Sequence, residues 1–222
     1  MDDDARVPQR KTPRREQILR AALELFDERG ISAVSTNHIA ERAGISPGNL
    51  YYWFPNRASI VRALFERWSA RSTMPDVEGE SPAGLLRILF HAMRRQVVLT
   101  DEYRVIAREL VTLLHEDDEL ARSYAAAYEE RIDRLERMLA LLQSEGLLLE
   151  PAPPTTTRDL VVASWILSES APSFLSAVGA EQGTTGIDAG AITTALLLAH
   201  LTPAGRLVLA ADLKEASDAA SH

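Results

Sequence analysis

Ser35-Thr-Asn-His-Ile-Ala-Glu-Arg-Ala-Gly-Ile-Ser-Pro-Gly-Asn-Leu-Tyr-Tyr-Trp-Phe54 carries two helix starts and one abrupt stop. Ser35 or Thr36 caps a short helix whose Ile39, Ala40 and Ala43 share one face, and Gly44 ends it. Ser46-Pro47 opens a second short helix through Tyr52, with proline at the first helical position. Gly44 supplies the positive φ that a sharp turn between the two requires. These are the proportions of a helix-turn-helix whose second helix enters the DNA major groove. Seven or so residues rising about 1.5 Å each span about 10 Å, which suits a groove about 12 Å wide.

Outward from this stretch the sequence reads as all-α. The first helix begins at Thr12-Pro13, carries Ile18, Ala21, Ala22, Leu25 and Phe26 on one stripe, and stops at Gly30. A fourth runs from Asn56 to about Ser72. Beyond an acidic, proline-bounded linker, Pro75 to Pro82, longer helices are predicted at about 83–99, 102–115, 118–144, 156–177 and 188–201, with a shorter one near 206–216. Sustained period-2 alternation is nowhere present, so sheets are not indicated. The expected organisation is a disordered arm over 1–11, a DNA-binding domain over 12–74 with a three-helix helix-turn-helix, and a C-terminal helical bundle over 75–222 for ligand binding and dimerisation.

Charge supports this division. The 222 residues carry a net charge of −8, yet residues 1–74 hold 12 Lys and Arg against 9 Asp and Glu, whereas residues 75–222 hold 12 against 23. An asymmetry of this kind is expected when one module meets a polyanion and the other does not. Arg6, Arg10, Lys11, Arg14 and Arg15 read either as an arm that neutralises phosphates or as a soluble tail. With no cysteine, disulfides and thiolate metal sites are excluded, and no apolar run reaches the length of a membrane span. A cytoplasmic protein without a membrane partner is expected.

The runs Arg14 to Gly30 and Thr36 to Arg57, the latter with Gly-Ile-Ser-Pro-Gly-Asn-Leu-Tyr-Tyr-Trp-Phe, resemble the N-terminal domain of the tetracycline-repressor (TetR) family over about residues 12–72. The resemblance implies a homodimeric transcriptional regulator, usually a repressor, that binds double-stranded, pseudo-palindromic operator DNA and responds to a small-molecule effector. Position by position it implies that Thr36 is a phosphate-capping hydroxyl, with Asn37 beside it on a base edge or phosphate. Pro47, Gly48 and Asn49 fall at base-facing positions, Tyr51 and Tyr52 at the aromatic pair that touches backbone and thymine methyls, and Arg57 at a phosphate contact. An Asn amide can read adenine through two hydrogen bonds, and a neighbouring glycine permits close approach. Tyr52 equally suits packing against the first helix. Trp53 departs from the family's usual histidine and either reaches the backbone through its indole or closes the domain core. His38 either meets a phosphate or is a solvated surface histidine.

In the C-terminal half, helices 156–177 and 188–201 are apolar nearly all round, with Leu160, Trp165, Ile166, Leu196, Leu197 and Leu198 among their residues. Such helices must be covered on every face, most simply by the chain's own core and a second subunit in a four-helix interface. Phe90, Tyr103, Tyr128, Arg131, Trp165, Glu169 and Phe174 are the candidate ligand-binding residues, since bundle cavities are mostly apolar with a few polar groups. Arg131 falls on an apolar stripe, where it either snorkels to solvent or meets an acidic ligand or Glu169. Enzyme readings find no support: phosphate loop, nucleophile elbow, His-Glu-x-x-His and paired Glu-x-x-His are all missing, so no cofactor, metal or catalytic residue is expected. His115-Glu-Asp-Asp-Glu119 reads as a solvated turn. The reading from another class is a ligand-binding or scaffolding dimer that does not bind an operator.

Overall fold

The computed structural model describes residues 13–75, 77, 79–179 and 189–220, with side chains to 212. The basic arm falls largely outside that range. Among the described residues there are ten helices and no named strand: α1 (Pro13–Arg29), α2 (Thr36–Arg42), α3 (Pro47–Trp53), α4 (Arg57–Arg71), α5 (Pro82–Glu102), α6 (Arg104–Glu116), α7 (Asp118–Ser144), α8 (Thr157–Ala177), α9 (Ala189–Ala199) and α10 (Pro203–Ala220). Two compact units divide between Trp68 and Ser69, inside α4, rather than at Met74. The reason is local. Arg131 on α7 donates to both the carbonyl and the hydroxyl of Ser69, and Arg71 pairs with Glu102, so the last turn of α4 belongs with the C-terminal helices.

In the N-terminal unit α1 buries Ile18, Leu19, Leu25 and Phe26, and α4 buries Ile60, Leu64 and Trp68. Against this core α2 contributes Ile39 and Ala40, while α3 contributes Leu50 alone, with Phe54 following it. The α2–α3 turn is fixed by the backbone: Gly44, at φ 62°, donates to Glu41 O, and Ile45 donates to Ala40 O. These two bonds satisfy carbonyls that the end of a helix otherwise leaves open. Gln17 on α1 reaches across to Ala43 O at 2.8 Å and ties the turn to the core.

The C-terminal unit is a bundle in which α8 packs against α5, α6, α7 and α9, and α10 packs on α5. Its helices start where side chains cap them: Ser81 for α5, Asp117 for α7, and Thr156 with Asp159 in a reciprocal capping box for α8. Asp117 accepts from the Glu119 and Leu120 amides, which makes part of the His115–Glu119 run a helix cap. Leu85, Leu86, Ile132, Leu142, Leu160 and Leu197 are among the buried core residues. Leu197 is 3% exposed and thus an inward residue. α8 is long and apolar enough to cross a membrane by length and composition, yet it carries Arg158, Asp159 and Glu169 and packs on four helices of the bundle. Its outer side is open. Ile166, Ser170, Phe174 and Val178 follow one another at every fourth position, and the three apolar ones are 57%, 64% and 58% exposed.

Candidate nucleic-acid interface and ligand cavity

Helix α3 is held to its unit by one face and leaves the rest free. Ser46 accepts from the Asn49 amide at 3.2 Å, and Pro47 occupies the first helical position, where no hydrogen-bond donor is needed. With Leu50 fully buried as its anchor, Pro47, Gly48 and Asn49 are exposed, and Tyr51 and Tyr52 are 51% and 81% exposed. Gly48 has open space where a Cβ would stand. Tyr52 lies on the free face rather than packed against α1, edge-on to Trp53 with ring centroids 5.3 Å apart. Trp53 itself is half-buried.

At the start of α2 the cap is Ser35, not Thr36. The Thr36 hydroxyl lies 3.2 Å from the Tyr51 hydroxyl, joining the ends of the two helices, and Asn37 beside it is exposed. His38 has a role that sequence reading missed. Its Nδ1 accepts from the Ser35 backbone amide at 3.3 Å, while the Ser35 hydroxyl accepts from the His38 amide. This is a capping box with histidine in place of the usual Glu or Gln, and the Ser-x-x-His spacing was its sequence signal. Arg57 donates from one nitrogen to Ser32 O at 2.8 Å and to Val34 O at 3.2 Å, so it braces the loop before α2 and α3 as well as presenting a charge.

The C-terminal unit contains a partly open cavity of about 160 Å³. Leu89 and Met93 of α5, Leu135 and Leu139 of α7, Leu160 of α8 and Leu197 of α9 give it an apolar lining, broken by Ser69, Ser72, Ser164, Ser168, Arg131 and Arg134. Of the seven candidate ligand-binding residues, Arg131 and Trp165 stand in this wall and the other five do not. Tyr103 is fully buried at the α5–α6 junction, with its hydroxyl near Arg71. Phe90 is core, Tyr128 packs on the core and edge-on to Trp165, and Phe174 lies on the open side of α8. Glu169 points to Tyr124, whose hydroxyl donates to it at 2.6 Å and in turn accepts from the Trp165 indole at 3.3 Å. Burial pushes the Glu169 carboxyl above its ordinary range, against the Tyr124 hydrogen bond and the Arg131 charge. Burial likewise lowers Arg131, whose guanidinium stacks 5.5 Å over the Trp165 ring.

Known proteins resemble this chain in sequence and fold. Residues 18–64 match the family model described as bacterial regulatory proteins of the tetR family, and residues 72–209 match that of a bacterial transcriptional repressor. YdeS, an HTH-type transcriptional regulator of Bacillus subtilis (strain 168), is 30% identical over 132 residues, 59% of this chain and 61% of its own. That match spans less than two thirds of the relative's length. The A-factor receptor protein of Streptomyces griseus is 25% identical over 205 residues, 90% of this chain and 71% of its own. Among solved structures, a TetR-family transcriptional regulator from Marinobacter aquaeolei VT8 superposes with a TM-score of 0.69 at 26% identity, over 91% of this chain and 98% of that one.

Proposed function

Because the chain belongs to the TetR family of bacterial regulatory proteins, we propose that it is a cytoplasmic DNA-binding transcriptional repressor, released from a pseudo-palindromic operator by a small molecule. The observation that carries this is α3, which spends one residue, Leu50, on the core and exposes Pro47, Gly48, Asn49, Tyr51 and Tyr52. A helix of this length with a bare polar and aromatic face suits insertion into a major groove. Asn49 reads a base edge, Tyr51 and Tyr52 touch backbone and thymine methyls, and Thr36, Asn37 and Arg57 lie against phosphates. Reading an operator with two-fold symmetry takes two copies, and the open side of α8 offers the surface to join them.

The effector site is the cavity bounded by Arg131 and Trp165. Residues of one helix serve both ends of the proposal: α4 begins at Arg57, which braces the α2 loop, and its last turn holds Ser69, which lines the cavity. An effector acts only through a difference in its affinity for the DNA-competent and incompetent forms. Selection of bound fragments from the source genome at moderate salt tests the reading, followed by titration of the recovered operator. A retained pseudo-palindrome supports it, and the absence of any enriched sequence overturns it.

A further inference from the structure

The cavity wall contains a half-buried charge whose hydrogen-bond partners are all neutral. Arg131 donates to the Ser69 carbonyl and hydroxyl, and among the described residues no carboxylate lies within ion-pair distance of it. The neighbouring acids are already engaged. Glu130, the carboxylate of the wall, holds Arg134 at 3.0 Å, and Glu169 accepts from Tyr124 at 2.6 Å. Arg95 also has only a neutral partner, Thr73 O, but it is exposed. Arg131 is half-buried on the Trp165 ring among leucines. A charge drawn this far from water is costly unless it is paired, and the planar fork of guanidinium matches a carboxylate with two parallel hydrogen bonds.

We infer that the cavity takes a small apolar monocarboxylate, with its carboxylate on Arg131 and its hydrocarbon body against Leu89, Leu135, Leu139 and Leu160. This rests on the reading of the C-terminal bundle as an effector-binding unit and adds the chemical class of the effector. Glu169 acts on this charge from beyond ion-pair distance and accepts from Tyr124 instead, so one directly bound anionic group is what the half-buried guanidinium lacks. The size follows from the volume: a space of about 160 Å³ is comparable to one that holds benzene, so the body is one ring or a chain of about six carbons. Ser72 adds a second donor, since its hydroxyl is buried in the same wall without a hydrogen-bond partner among the described residues.

Calorimetric titration of the full chain with phenylacetate and hexanoate, set against methyl phenylacetate and phenethylamine, tests the inference. The carboxylates are expected to bind the unaltered chain about tenfold or more tighter than the ester, and the amine weakest of all. Arg131→Met should erase the preference for carboxylate over ester while keeping the ester's affinity, and Ser72→Ala should narrow it. The comparison of ligands on the unaltered chain stands even if Arg131→Met does not fold. Equal binding of ester and acid, or no binding of either acid, overturns the inference. Operator binding, measured on the same preparation, fails separately: a chain that prefers carboxylates but binds no DNA keeps this inference and loses the regulator reading.

Discussion

Asn49 and Arg57 lie within one short segment yet in different surroundings. Asn49 is exposed on α3, with its backbone amide given to Ser46, which leaves its side-chain amide free to meet a base edge. Asn49→Ala should therefore change the preference at one base position of each half-site by about 1–3 kcal/mol. An unchanged preference profile in a randomised-operator selection would remove Asn49 as a reader. Arg57 is half-buried and already binds Ser32 O and Val34 O. Arg57→Ala should weaken all DNA sequences alike, flatten the salt dependence, and also cost about 1 kcal/mol of stability in urea titrations from the lost carbonyl contacts. A variant that loses DNA affinity at unchanged stability would mean that the brace contributes nothing. Glu169 gives a prediction in pH. Its carboxyl is raised above the ordinary Glu value of 4.5, chiefly by burial, so the folded chain holds this proton more tightly than the unfolded chain does. The stability it contributes is present below that value and is lost as pH rises through the folded value. Glu169→Gln keeps an acceptor for the Tyr124 hydroxyl and removes the titration. The variant should gain stability relative to the unaltered chain as pH rises from 5 to 8, by urea midpoints, and a difference that does not change with pH would contradict the assignment.

At the scale of the elements, one close approach carries a sharp expectation. Near the start of α10, a Cβ on Gly205 would stand 2.3 Å from the Leu147 carbonyl oxygen, which is backbone and is itself held by the Thr202 amide and hydroxyl. Moving Leu147 would break those bonds, so Gly205→Ala should destabilise the chain by about 1–3 kcal/mol. Thermal unfolding within error of the unaltered protein would show that the α7–α8 loop yields freely. Nothing in the spacing around Gly205 announced this, because the contact joins segments distant in sequence. The helices themselves were legible. Apolar stripes at 3.6-residue spacing in α1 and α4, and the caps at Ser46 and Thr156, act between residues within a turn of one another, so the sequence displays them directly. The exposed face of α3 was legible for the same reason, since Leu50 alone of its residues is buried. Cavity membership was not. It depends on where four helices fail to fill the space between them, which aromatic residue type does not reveal: Tyr103 went to full burial and Phe174 to the open side of α8, while serines and leucines took the wall.

For the whole molecule, the all-round apolar character of α8 and α9 predicts more cover than the described residues provide. α8 buries Leu160, Val161, Ala171 and Leu175 against its own bundle, and α9 buries Leu197. What remains is the stripe of Ile166, Phe174 and Val178, with Leu198 on α9 40% exposed, and α9 packs directly against α8. Two α8–α9 pairs related by a two-fold axis would form a four-helix interface in which each stripe covers the other. The residue that tests this must be one that the chain itself leaves open. Leu197 would not serve, because at 3% exposure a charge there would disrupt the bundle core whether or not a partner exists. Phe174, at 64% exposure, is solvated in the single chain and would be desolvated in the dimer. Phe174→Glu should therefore leave the folded subunit intact and place an unpaired charge in the interface, shifting the protein from dimer to monomer at micromolar concentration. Sedimentation gives the oligomeric state and circular dichroism the fold. Because a symmetric operator needs both recognition helices at once, the monomer should also lose operator binding while each α3 stays unaltered. A Phe174→Glu chain that sediments as a dimer would move the interface to another face of the bundle.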